Sequence, residues 1–262
     1  MFMRSILSLS IICLTVVFFS CQKESKHSGY IDENEALVEP LIEVNGKSRT
    51  YNYDFKILEY PNVIGFYYQP TSIAEGLSSV PDKVREAIHL PNVLDLPFTP
   101  KTEKANIVTF WNDRNKLIFE IQISYLENTP EYQANNQDFF IISATQLAKN
   151  PFIDTSADDD PIDNWIKDFN MNGTEDPEGV IIYRKLELTP ELPLFFKDWQ
   201  QNWSTMYAYY SYDSTDNEIM HTSTGAKVYY AWHDGLIFQI GYKFADETID
   251  MEAVVRKIIL GE

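Results

Sequence analysis

Hydrophobic and polar positions follow different rules in successive parts of the chain. From Ile6 to Phe19 the residues are almost all apolar, with Arg4 just before them; from Gln22 the chain turns polar. That run has the roughly 7–15 residues of a signal-peptide core and falls short of the about 20 a membrane helix needs. Further on the pattern is strand-like. Gly65-Phe66-Tyr67-Tyr68 lies between Pro61 and Pro70 and predicts a strand. Ile107 to Trp111 and Leu117 to Ile123 flank the turn-like Asn112-Asp113-Arg114-Asn115 and predict a hairpin. Near the C-terminus, Met206–Tyr212, Glu218–Thr222, Lys227–Trp232 and Leu236–Phe244 predict four more strands.

Helical spacing is rarer. Val80, Val84, Ala87 and Ile88 share a face of a predicted helix spanning 79–88, with Ser79 as its cap and Pro81 in its first turn. Phe195, Phe196, Trp199 and Trp203 also have helical spacing and are expected to anchor a core. The last helix is the clearest. Met251, Val254, Val255, Ile258 and Ile259 form one stripe after Asp250, an N-cap residue, and Gly261 is the stop. Strand runs closed by a helix argue for an α+β fold, with antiparallel β-meander sheets and packed helices, and against a parallel doubly wound sheet.

The two hairpins resemble each other. "WNDRNKLIFEI" starts at Trp111 and "WHDGLIFQI" at Trp232. Two readings fit: duplicated halves, or convergence on the small menu of turn chemistry. The expected organisation is a signal segment at 1–20, a polar tether at 21–36 and a first α+β half at 37–150. An acidic linker at 151–179 and a second half at 180–262 complete it.

Composition narrows the function. Hydrophobic content of 44% supports a substantial core. The net charge of −18 repels a phosphate backbone, so nucleic acid is not an expected partner. The chain has two cysteines, Cys13 inside the apolar run and Cys21 after it. The chain beyond Cys21 has no cysteine and so offers no disulfide, thiolate metal site or cysteine nucleophile.

Ser20-Cys21 after the apolar run resembles the lipobox of bacterial lipoproteins, with Phe18 where leucine is commonest. The resemblance implies cleavage before Cys21, lipidation there and a membrane partner through the acyl chains. Each buried CH₂ contributes about 0.8 kcal/mol. Gln22-Lys23-Glu24 is similar to the export signal of Bacteroidota surface lipoproteins, with Ser25 where a further acid is usual. The expected location is the outer membrane, on the cell surface or the periplasmic face.

Asp168-x-Asn170-x-Asn172-Gly173-Thr174-x-Asp176 resembles the calcium loops of EF-hand-like and integrin-propeller-like proteins. Calcium takes six to eight oxygens at about 2.3–2.6 Å, and alternating oxygen-bearing side chains reach one centre when the backbone curls. An EF-hand is ruled out because Gly179 stands where the bidentate glutamate belongs. The alternative is a polar turn. The nearby Asp158-Asp159-Asp160 is expected to be solvated linker.

Catalytic motifs are missing: HExxH, a nucleophile elbow, GxGxxG and a P-loop do not occur. Of the four histidines, His221 and His233 are placed to meet across strands, while His27 lies in the tether and His89 stands alone. Tyr207, Tyr209, Tyr210, Tyr212, Tyr229 and Tyr230 enrich one predicted sheet. Strand alternation is expected to leave about half of them outside, free to stack on sugars or grip a protein. The expected role is a non-catalytic binding or assembly component with a protein or glycan partner. The alternatives are a carbohydrate-binding accessory lipoprotein and a hydrolase with paired carboxylates.

Overall fold

A computed structural model describes residues 41–46, 64–111, 117–128, 137–146, 150, 181–199, 207–244 and 248–261. The strands in chain order are β1 (Glu43–Gly46), β2 (Ile64–Tyr68), β3 (Thr102–Trp111), β4 (Leu117–Leu126), β5 (Phe139–Gln146) and β6 (Ile181–Thr189). There follow β7 (Leu192–Trp199), β8 (Tyr207–Asp213), β9 (Glu218–Thr224), β10 (Lys227–His233) and β11 (Leu236–Lys243). Helices α1 (Ile73–Ser79) and α2 (Asp82–Glu86) lie between β2 and β3, with a 3-10 turn at Val93–Asp95, and α3 (Met251–Leu260) ends the chain. The fold is α+β.

All eleven strands join one sheet in the order β6-β7-β10-β11-β5-β4-β3-β2-β1-β9-β8. Every pairing is antiparallel except the short β1–β9 bridge, where Asn45 faces Glu218 and Gly46 faces Ile219. The two similar hairpins, β3–β4 and β10–β11, enter this sheet on opposite sides of β5.

The middle of the sheet is covered on both faces. On one, Phe119, Ile121 and Ile123 of β4, Phe140 and Ile142 of β5, and Phe238 and Ile240 of β11 meet Val80, Val84, Val255, Ile258 and Ile259 of the helical segments. On the other, Phe139, Ile141, Val228 and Tyr230 meet Tyr207, Tyr209 and Tyr210 of β8. The sheet therefore curls until its end hairpin, β8–β9, lies over its own centre. The Phe139 ring stacks at 6.1 Å on Tyr207 and 6.4 Å on Tyr209. A Cβ on Gly241 of β11 would stand 2.5 Å from the Tyr207 ring, so only glycine admits this approach.

Among the described residues β8 is an end strand, whose outer N–H and C=O groups need partners. Gln122 of β4 supplies them at one residue: Tyr210 N donates to Gln122 Oε1 at 2.7 Å, and Gln122 Nε2 donates to Tyr210 O at 2.9 Å. At that position one buried amide side chain makes the bonds that a neighbouring strand would make. The Tyr210 hydroxyl donates to the buried Glu120 at 3.2 Å. Polar residues consequently line the β8-facing side of the sheet. Asn106, Gln122, Ser143 and Gln239 form a cross-strand row through the paired registers.

Three expectations change. The helix expected at 79–88 is the shorter α2, Asp82–Glu86, and its expected cap Ser79 ends a separate helix, α1, that was not expected. Ser72 caps α1 in a reciprocal box with Glu75, Ser79 closes that helix, and α2 starts after Pro81. Phe195 and Phe196 lie on strand β7 and not on a helix; each is buried, one against either layer, as a central strand with two covered faces requires. Tyr207, Tyr209, Tyr210, Tyr229 and Tyr230 are all buried, because the folded-over hairpin removes the outer face that alternation alone would leave wet. The predicted strands occur with shifted ends, β1, β5 and β6 are strands that no expectation covered, and α3 is capped by Asp250, whose side chain accepts from Ala253 N at 3.1 Å. Gly261 closes it in the left-handed region at φ 76°.

Candidate functional site

The lipidation residue Cys21, the calcium-loop residues Asp168, Asn170, Asn172, Thr174 and Asp176, and Trp203 lie outside the described residues. Among the described residues no three His, Cys, Asp or Glu side chains gather as a metal site, and no helix is long and apolar enough to cross a membrane. His221 lies on β9 and His233 on β10, strands that are not neighbours in the sheet, so they do not meet across a strand pair. His233 instead faces Asp234 at 3.5 Å beside the β10–β11 turn. Asp213, Ser214 and Thr215 form the β8–β9 turn, where Thr215 N donates to Asp213 Oδ1 at 2.8 Å.

Concavity occurs elsewhere, where the helix-side core reaches the surface beside the start of α3. Two cross-strand rows build its floor. In one, Arg184 of β6 lies opposite Phe196 of β7, which lies opposite Tyr229 of β10. In the next, Asp198 lies opposite Lys227, which lies opposite Tyr242 of β11. Phe244, Ile249 and the first residues of α3 close the cleft, which has a volume of about 330 Å³. This is the lower end of the range for small-molecule sites, about 300–1,000 Å³.

Its aromatic rings form a connected series. Phe196 and Tyr229 are 4.8 Å apart between centroids, Tyr229 and Tyr242 stack at 6.2 Å with planes 13° apart, and Tyr242 meets Phe244 at 4.9 Å. The Arg184 guanidinium lies 5.6 Å from the Phe196 centroid, in cation–π range. Burial pushes the Tyr229 phenol up to about 12; the Glu252 and Asp250 carboxylates push the same way, while the Tyr242 hydrogen bond and Arg184 oppose them. Tyr229 is a neutral hydroxyl at physiological pH.

The carboxylates here have structural employment. Asp250 caps α3. Glu252 accepts from Arg256 Nε at 3.2 Å and Nη2 at 2.7 Å, and Arg256 Nη1 also donates to Leu188 O at 2.6 Å. The cleft therefore combines largely buried aromatic rings in its floor with a mostly polar, charged surface.

Sequence reasoning reached Phe196 as a core anchor, Tyr229 as part of an aromatic sheet and Asp250 as a cap, but did not connect them. Arg184, Asp198 and Tyr242 carried no motif; only the strand order and register bring them together. The chain matches no family model, no curated protein and no solved structure.

Proposed function

We propose that this protein is a lipid-anchored component of the bacterial cell envelope that binds a small ligand without transforming it. Anchoring rests on the signal-like N-terminus with Cys21 as the acylated residue. Binding rests on one observation, the aromatic cleft of about 330 Å³ at the start of α3. A non-catalytic role is favoured because two of its carboxylates, Asp250 and Glu252, are committed to a helix cap and to Arg256. A carboxylate held in that way is poorly placed to exchange a proton with substrate.

Metabolic labelling with an alkyne fatty acid tests the anchor: wild-type protein takes the label and Cys21→Ser does not. Native material that begins at Met1, or that has a free thiol at Cys21, overturns it. A crystallographic fragment screen tests the cleft. Fragments are expected to seat on Tyr229 and Tyr242; a screen whose hits all lie elsewhere, or that finds none, removes the site.

A further inference from the structure

We propose that the ligand of the cleft beside α3 is an organic cation, carried as a guanidinium or alkylammonium group. This rests on the reading of that cleft as the binding site. Four observations support it together. The floor is built on four aromatic rings, Phe196, Tyr229, Tyr242 and Phe244, within about 5–6 Å of one another along the series. Aromatic faces attract cations that have left water.

The floor already holds a cation of this kind. Arg184 comes from the neighbouring strand and lies over Phe196 at 5.6 Å. Arg184 is itself an exposed residue, so a ligand's cation can take its place without breaking the core.

The rim is acidic on the helix side, where Asp250 and Glu252 stand at the first turn of α3. At the Tyr229 hydroxyl both carboxylates act in the sense opposite to Arg184. An anion would meet the same two groups with the opposite sign. Finally, Lys227 is directly opposite Asp198 in the β7–β10 register, which sets the second basic residue against an acid of its own.

The same chemistry has two sources, a free small cation and a basic side chain of a peptide. The test uses both. The full acylated chain in detergent, labelled isotopically at tyrosine, is titrated with choline, with N-acetyl-arginine amide and with its neutral isostere N-acetyl-citrulline amide. Choline or the arginine compound is expected to shift the Tyr229 and Tyr242 ring signals saturably, and the citrulline compound is not. Choline alone points to a free metabolite, the arginine compound alone to a peptide side chain, and either supports a cation site.

Two variants give opposite signs. Arg184→Ala removes the resident cation and is expected to tighten binding roughly two- to fivefold. Asp250→Asn keeps an oxygen to cap α3 while removing a charge, and is expected to weaken binding by a similar factor. Arg184→Gln serves if Arg184→Ala lowers the melting temperature.

Equal binding of the citrulline and arginine compounds overturns the cation while leaving the site. Weaker cation binding by folded Arg184→Ala or Arg184→Gln also overturns it. If none of the three compounds moves the cleft tyrosines, the cation falls, and the fragment screen alone then decides whether the cleft binds anything.

Discussion

At the scale of single residues, burial determines what each polar group does. Lys104 is half-buried at the start of β3, and desolvation lowers its ammonium to about 8 from 10.5. Its folded pKa is depressed, so the native state sheds this proton at lower pH than the unfolded chain. Stability from this group is therefore present above about 10.5 and lost as pH falls through about 8. Urea unfolding between pH 8 and 10 is expected to show stability rising with pH, and Lys104→Met is expected to flatten that rise. Parallel curves for the two proteins would remove Lys104 as the cause. Above pH 10, Tyr229 acts in the opposite sense: its phenol, raised to about 12, holds its proton longer in the folded state, so stability falls with pH there.

Asn106 is fully buried on β3, and neither its Nδ2 nor its Oδ1 has a hydrogen-bond partner among the described residues. A buried amide in that condition costs about 1–3 kcal/mol. Asn106→Leu is expected to raise the unfolding free energy by a comparable amount, measured by chemical denaturation. A lower value would mean that the amide is satisfied by a bridging water.

Among the elements, the β8–β9 hairpin has the least ordinary position. Among the described residues, backbone pairing ties it to the rest of the sheet only through the two-residue bridge to β1. Its attachment over the centre depends on side chains, Gln122 on the Tyr210 backbone and Tyr207 against Gly241. Gly241→Ala is expected to cost about 1–3 kcal/mol by overpacking. In a Tyr207→Ala background the added methyl meets no ring, so the two changes are expected to be strongly non-additive in a double-mutant cycle. Additive costs would show that the hairpin does not rest there in solution.

Element boundaries were legible where one face is wet or a cap is present. The α3 stripe, the Asp250 cap and Gly261 could be read directly, as could the β10–β11 turn with Gly235 at φ 79°. By contrast β5, "FFIISATQ", and β7, "LPLFFKDW", were not identified as strands. Covered on both faces, they show continuous apolar runs, which lack the alternation that marks a half-exposed strand. The α1 capping box, Ser72 to Glu75, was present in the sequence as Ser-x-x-Glu, but only a short weak stripe followed it.

For the whole molecule, the two functional proposals lie far apart in the chain, and calcium is a third feature to be tested by itself. Calcium bound by Asp168, Asn170, Asn172, Thr174 and Asp176 is expected to raise the melting temperature at millimolar concentration, the range of weak extracellular sites. Asp168→Asn and chelation are each expected to abolish the rise. An unchanged melting temperature, with no heat in titration calorimetry, would leave the loop a polar turn.

Local physics was enough for the sequence to establish an α+β chain with antiparallel hairpins, a capped C-terminal helix and a strongly negative net charge. Each of these depends on residues within a few positions of one another, or on a sum over the chain. The cleft and the burial of the tyrosines were decided by tertiary structure. Arg184, Phe196, Tyr229 and Tyr242 meet only because β10 and β11 insert between β7 and β5, and β8 covers the other face only because the sheet curls back over itself. Strand order and curl come from contacts between residues distant in the chain, and periodicity in a single strand carries no record of its neighbours.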